Sequence, residues 1–140
     1  MKLKKITPNL SVKNVAKTIK FYQNILNFEV RMLVLERNHM VEDHFIETEE
    51  YAYAMVFKDD LQMMFLKEST FHDNIPILKQ LPMGASVAFY IAVEQIDEFY
   101  QQLQEKKIEI VKELTTTWYG LREFYIKDCN GYILAFTEEI

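Results

Sequence analysis

Three histidines, one cysteine and an adjacent Arg-Glu pair carry the most obvious chemistry in this 140-residue chain. His39 and His44 bracket Glu42 and Asp43 in a polar stretch, a donor set that suits a divalent cation. The spacing works against it. A helix aligns positions three or four apart, and a strand sends residues five apart to opposite faces. His72 stands beside Asp73 in a segment rich in Ser, Thr, Asp and Pro, so all three histidines read as solvated loop residues. Cys129 has no histidine near it in sequence, and nothing marks it as an activated thiol. Thr115-Thr116-Thr117 has no base beside it, and the three glycines are isolated, which excludes a Gly-rich phosphate loop. What remains is aromatic. Trp118, Tyr119, Phe124 and Tyr125 cluster near the C-terminus, Phe89 and Tyr90 lie upstream, and Tyr51, Tyr53, Phe57 and Phe65 lie in the first half. Arg122-Glu123 could place a charge at one end of a pocket that these rings line, or could simply pair across strands or with solvent.

The elements that must position these residues follow from periodicity. Lys4 to Val12 reads as a strand, held to an edge or an end by Pro8. Asn14 can cap a helix over Val15 to Leu26, in which Val15, Ile19, Tyr22 and Leu26 form one apolar stripe, and Asn27 can end it. Strands are expected at Phe28 to Glu36, Tyr51 to Phe57 and Leu61 to Leu66; the polar segment 37–50 has no clear assignment. Lys67 to Gly84 breaks the pattern and reads as a linker with a helical turn near Ile77 to Leu81. Then the order restarts. A strand at Ser86 to Val93 precedes a helix at Gln95 to Glu105, with Ile96, Phe99, Tyr100 and Leu103 on one face. A strand at Ile108 to Leu114 leads to a hairpin of Leu121 to Lys127 and Tyr132 to Thr137, turned at Asp128-Cys129-Asn130-Gly131.

The second half repeats the first. A shift of 81 lays Val12 on Val93 and Val15 on Ile96, and a shift of 71 lays Met64-Phe65 on Ala135-Phe136. Internal duplication explains the repeated order. The expected fold is α+β: two tandem βαβββ modules, about 1–68 and 86–140, joined by a linker at 69–85 within a single domain. Their strands would form one curled mixed sheet, a trough with the helices outside. Such a trough suits a small ligand.

Composition narrows the function classes. Net charge is −5, with no basic patch to meet a nucleic acid. One cysteine excludes an internal disulfide framework and fits a reducing compartment. No stretch is long and apolar enough for a membrane span, and MKLKKITPNLSV lacks the apolar run of a signal peptide, so a cytoplasmic location is expected.

Two segments, TPNLSVKNVAKTIKFYQNILNFEV and WYGLREFYIKDCNGYILAFTEE, resemble the vicinal oxygen chelate superfamily, which includes glyoxalase I, extradiol dioxygenases, fosfomycin-resistance enzymes and bleomycin-resistance proteins. The chain departs from the family pattern at several points. Asn14 takes an acidic position, Asn27 replaces the Gly of "LGF", Tyr119 interrupts a Trp-Gly pair and Cys129 stands where Pro is usual. The resemblance implies four metal-ligating positions, which fall here on Thr7, Met64 (or Phe65 with a register one residue different), Ala88 and Ala135. None offers imidazole or carboxylate, so neither a metal nor another cofactor is expected. The bleomycin-resistance-like branch, which binds without reacting, is the implied relative, and a homodimer is the implied assembly.

Strand parity, anchored on Ala88 and Ala135, sends Tyr90, Thr7, Asn9, Met64 and Leu66 into the trough and Phe89 and Phe136 towards the helices. The resemblance adds Tyr125 to the inward set. The expected ligand site is therefore Trp118, Tyr125, Tyr90, Met64, Leu66, Asn9, Thr7 and Arg122, taking a planar or hydrophobic molecule that could be cationic. Two alternatives stand beside this one. A metal-dependent lyase, dioxygenase or thiol transferase could use displaced ligands such as His39, His44 or Glu123. A structural or regulatory module would fill its trough with its own side chains.

Overall fold

The first helix forms where its apolar stripe and its caps coincide. In the computed structural model, which describes residues 1–84 and 86–140, α1 runs Val15–Leu26. The Asn14 side chain accepts from the Lys17 N–H at 2.9 Å, and Asn27 closes the helix in the left-handed region at φ 55. Val15, Ile19, Tyr22 and Ile25 are buried against a sheet. The Tyr22 ring meets Phe65 at 5.0 Å and Phe28 at 5.8 Å.

That sheet contains β1 Asn9–Val12, β2 Glu29–Leu35, β3 Val41–Glu42, β4 Tyr51–Lys58 and β5 Leu61–Lys67, ordered β1-β5-β4-β2-β3. β1 runs parallel to β5, and the other pairs are antiparallel. The second sheet contains β6 Ala88–Ala92, β7 Ile110–Thr116, β8 Leu121–Lys127 and β9 Ile133–Glu139, ordered β6-β9-β8-β7. Again the first strand runs parallel to the last. Apart from the short β3, the two orders are the same. The register carries the duplication to single residues: Asn9 pairs with Met64, and 81 and 71 positions later Tyr90 pairs with Ala135.

The chain divides into two compact units, Met1–Pro82 and Met83–Ile140, with one sheet in each. The α+β class and the two-module order are as the periodicity predicts, with two separate mixed sheets, one per module. Two details differ from expectation. β1 starts at Asn9 rather than near Lys4: its pairing with β5 begins at Met64, just after Pro8, which has no N–H for the ladder and whose O accepts from Met64 N at 2.8 Å. The linker holds a real helix, α2 Glu68–Asn74, followed by a 3-10 turn at Pro76–Gln80. Its buried Phe71 anchors α2. The last linker residue, Ala85, lies outside the described residues. Segment 37–50 is mostly turns around the two-residue β3.

In the second unit α3 spans Ile96–Glu105. Phe99 meets Phe136 at 4.9 Å and Phe124 at 5.7 Å, and Tyr100 meets Phe124 at 4.9 Å. Gln95 lies at φ 59 and gives no side-chain cap. Instead the Glu138 carboxylate reaches from β9 to accept from Gln95 N and Ile96 N, both at 2.9 Å. The anion thus meets the positive end of the helix dipole. The β8–β9 turn is held by Asp128, whose Oδ1 accepts from Asn130 N and Tyr132 N at 2.8 Å each, with Gly131 at φ 96. Among the described residues, no helix is long and apolar enough to cross a membrane.

Candidate functional site

Strand alternation divides the second sheet cleanly. Phe124, Ile126, Leu134 and Phe136 are fully buried, and the two phenylalanines meet α3. The opposite face presents Tyr90 on β6, Ala135 and Thr137 on β9, Glu123 and Tyr125 on β8, and Lys112 on β7. Tyr90 and Tyr125 flank Ala135 from its two neighbouring strands. With only a methyl group between them they lean together: their rings lie edge to face at 5.9 Å and their hydroxyls are 2.8 Å apart. Ala135 is wholly buried. A longer side chain there would compete with the tyrosines for the same space.

Beside this pair sits Glu123, 0% exposed in the middle of β8. One of its oxygens, Oε1, takes every bond: Lys112 Nζ donates at 2.5 Å, Tyr119 OH at 2.9 Å and Tyr125 OH at 3.3 Å. The other, Oε2, is buried with no hydrogen-bond partner among the described residues. Burial pushes the Glu123 carboxyl pKa up, but the Lys112 ammonium and the Tyr119 and Tyr125 hydroxyls outweigh it and hold the group below its ordinary value. The same contacts act in reverse on the partners. The bond to Glu123 raises Lys112 and Tyr119, while Tyr125 is pushed up by its bond to Tyr90, by burial and by the Glu123 charge. Lys112 Nζ also lies over the Tyr125 ring, 4.9 Å from its centroid.

The predicted residues therefore fall in different places. Tyr90 and Tyr125 meet on one face, with Phe89 and Phe136 on the other, as parity requires. Arg122 belongs elsewhere. It alternates to the α3 side, where Asp97 Oδ1 accepts from Nη2 at 2.6 Å and from Nε at 3.2 Å. Trp118 is 94% exposed in the β7–β8 turn and touches the group only through Tyr119, edge on at 5.2 Å. In the first unit, Asn9 pairs with Met64 and the neighbouring Leu66 pairs with Tyr53, all on the face away from α1. Asn9 Oδ1 is buried without a partner among the described residues, and Thr7 is half-buried just ahead of β1. His39 and His44 are exposed. Among the described residues, no three of His, Cys, Asp and Glu converge, and the side chains at Thr7, Met64, Ala88 and Ala135 do not fit a divalent cation.

Lys112 is the member that sequence reasoning missed. The signal was present: a shift of 80 lays it on Met32, so the duplication itself marks a charged residue where the first module has a thioether.

The chain was compared with known proteins. No curated protein matches it. Among solved structures it resembles a glyoxalase-related enzyme from Clostridium phytofermentans, with 19% identity over 100% of this chain and 98% of the other and a TM-score of 0.70. A superfamily member from Sphaerobacter thermophilus gives 19% identity, 98% of each chain and a TM-score of 0.68. TioX from Micromonospora sp. ML1 gives 14% identity, 98% and 97%, and 0.63. Identities this low establish a shared fold and no more. The model of one family covers residues 3–136. The chain belongs to the Glyoxalase/Bleomycin resistance protein/Dioxygenase superfamily.

Proposed function

We propose that this protein binds a small planar molecule without transforming it, and that the α3-averse face of the second sheet is a principal contact surface. The observation that carries this reading is the Tyr90–Tyr125 pair over Ala135. The resemblance assigns position 135 to a metal-binding carboxylate. Here a methyl group occupies it, and the space above is roofed by two aromatic rings, one of them 62% exposed. Rings held edge to face offer a flat ligand both a stacking surface and an edge. A metal-dependent reaction would need to recruit Glu123, whose Oε1 already accepts from three donors, one of them a cation.

Fluorescence anisotropy tests this with two fluorescent tricycles, neutral acridone and cationic proflavine. Both are expected to saturate one site, and Tyr90→Ala and Tyr125→Ala are each expected to weaken both by about tenfold. Absence of saturable binding by either dye overturns the proposal.

A homodimer belongs to the same reading. It is supported by residues 1–8, which lie outside any strand and expose Met1, Leu3 and Ile6 almost completely. Light scattering should give twice the 16.7 kDa chain mass, and a monomer at micromolar concentration would exclude it.

A further inference from the structure

Glu123 is an unbalanced carboxylate. Three donors crowd Oε1, while Oε2 is buried with none among the described residues. A buried acceptor left unpaired is costly, and folded proteins seldom retain one without a use. The group that stands nearest is also informative. Lys112 Nζ is held at once by a carboxylate oxygen at 2.5 Å and by the face of the Tyr125 ring at 4.9 Å. Those two contacts are what a protein uses to recognise an organic ammonium. Lys112 is 39% exposed on a flexible four-carbon stem, so its ammonium can withdraw to solvent while Glu123 stays buried.

We infer that Lys112 is an internal placeholder, and that the ligand is a planar organic cation whose N–H group replaces the lysine ammonium and donates to the Glu123 carboxylate, using the unpaired Oε2. This rests on the reading that the face binds a planar molecule, and it names that molecule's charge. The remaining groups agree. The ligand meets the hydroxyls and ring faces of Tyr90, Tyr119 and Tyr125, and withdrawal of Lys112 leaves Glu123 as the charge it faces among these residues. The corresponding position in the first module, Tyr53, pairs with Leu66 and carries no charge. Recognition of this kind therefore belongs to the second module alone.

The test compares proflavine with acridone by anisotropy at pH 8. Wild-type protein is expected to prefer proflavine by about tenfold. Lys112→Met, which installs the residue the first module has at this place, should tighten proflavine about tenfold further and leave acridone unchanged. Glu123→Gln, with its fold checked by circular dichroism, should abolish the preference. Glu109→Gln removes one exposed carboxylate from the same module and should leave the preference intact. Equal binding of the two dyes by wild type, an unchanged ratio in Lys112→Met, or an equal loss of preference in Glu109→Gln each overturns the inference while the planar-ligand reading survives. Failure of both dyes to bind overturns that reading as well.

Discussion

The two modules place the same backbone positions in the same register and fill them with opposite chemistry. On the helix-averse face of the first sheet, Met32, Met55, Met64 and Asn9 form one row across four strands, and Val34, Tyr53, Leu66 and Ser11 form the next. In the second sheet the corresponding rows are Lys112, Tyr125, Ala135 and Tyr90, then Thr115, Glu123, Thr137 and Ala92. The first face carries no charge in these rows and is mostly thioether and aliphatic, an adaptable lining, with Asn9, Ser11 and Tyr53 as its polar members. The second is a network of charge and hydroxyls around one buried carboxylate. On the helix-facing sides the modules agree: Phe65 and Phe136 occupy equivalent places and both are fully buried. The agreement is not complete even there, since Ala54 stands where the second module has Phe124.

This comparison can be broken at its strongest point first. Phe65→Ala and Phe136→Ala should each cost about 3–5 kcal/mol, measured by urea unfolding. Unequal losses would show that the two helix–sheet contacts are not equivalent. Next, Ala135→Glu introduces a carboxylate at the place that Tyr90 and Tyr125 cover, and should destabilise by about 1–3 kcal/mol through overpacking. Tolerance of the change would mean that the tyrosine pair moves freely. The helix caps then separate the modules by mechanism. Asn14→Ala removes a side-chain cap from α1 and Glu138→Ala a carboxylate from α3, each at about 1 kcal/mol.

Glu123 gives a pH signature of its own. Its folded pKa lies below the ordinary 4.5, so the charge contributes stability above that value and the contribution fades as pH drops through the folded pKa. Wild type should exceed Glu123→Gln in stability at pH 7, and the gap should narrow below about pH 4.5. A gap independent of pH would show that the carboxylate acts by shape rather than charge. The smallest effect is expected at Arg122→Ala, whose pair with Asp97 is exposed; the unfolding midpoint should stay within measurement error.

Much of the scaffold was legible in the residues. The α1 boundaries at Val15 and Leu26 follow from a stripe and two Asn caps, all local signals. β8 is bounded by Leu121 and Lys127 as its alternation requires. α2 escaped because seven residues with one buried Phe71 show no periodicity; burial of that ring, a tertiary event, is what stabilises the turn. The site was legible only in part. Parity sent Tyr90 inward, but Arg122 and Glu123 are neighbours on one strand, and the reading that joined them into one charged end could not be right for both. Alternation sends one to each face.

Sequence alone thus determined the duplicated order, the class of fold, and the absence of imidazole or carboxylate at four positions, because periodicity, capping and residue type are local properties. Tertiary structure decided which polar residues share a face and who pairs with whom. Alternation along β8 already puts Tyr125 on the face of Glu123, but the hydrogen-bonded register with β7 and the fold of the turn are what bring Lys112 and Tyr119 to the same oxygen.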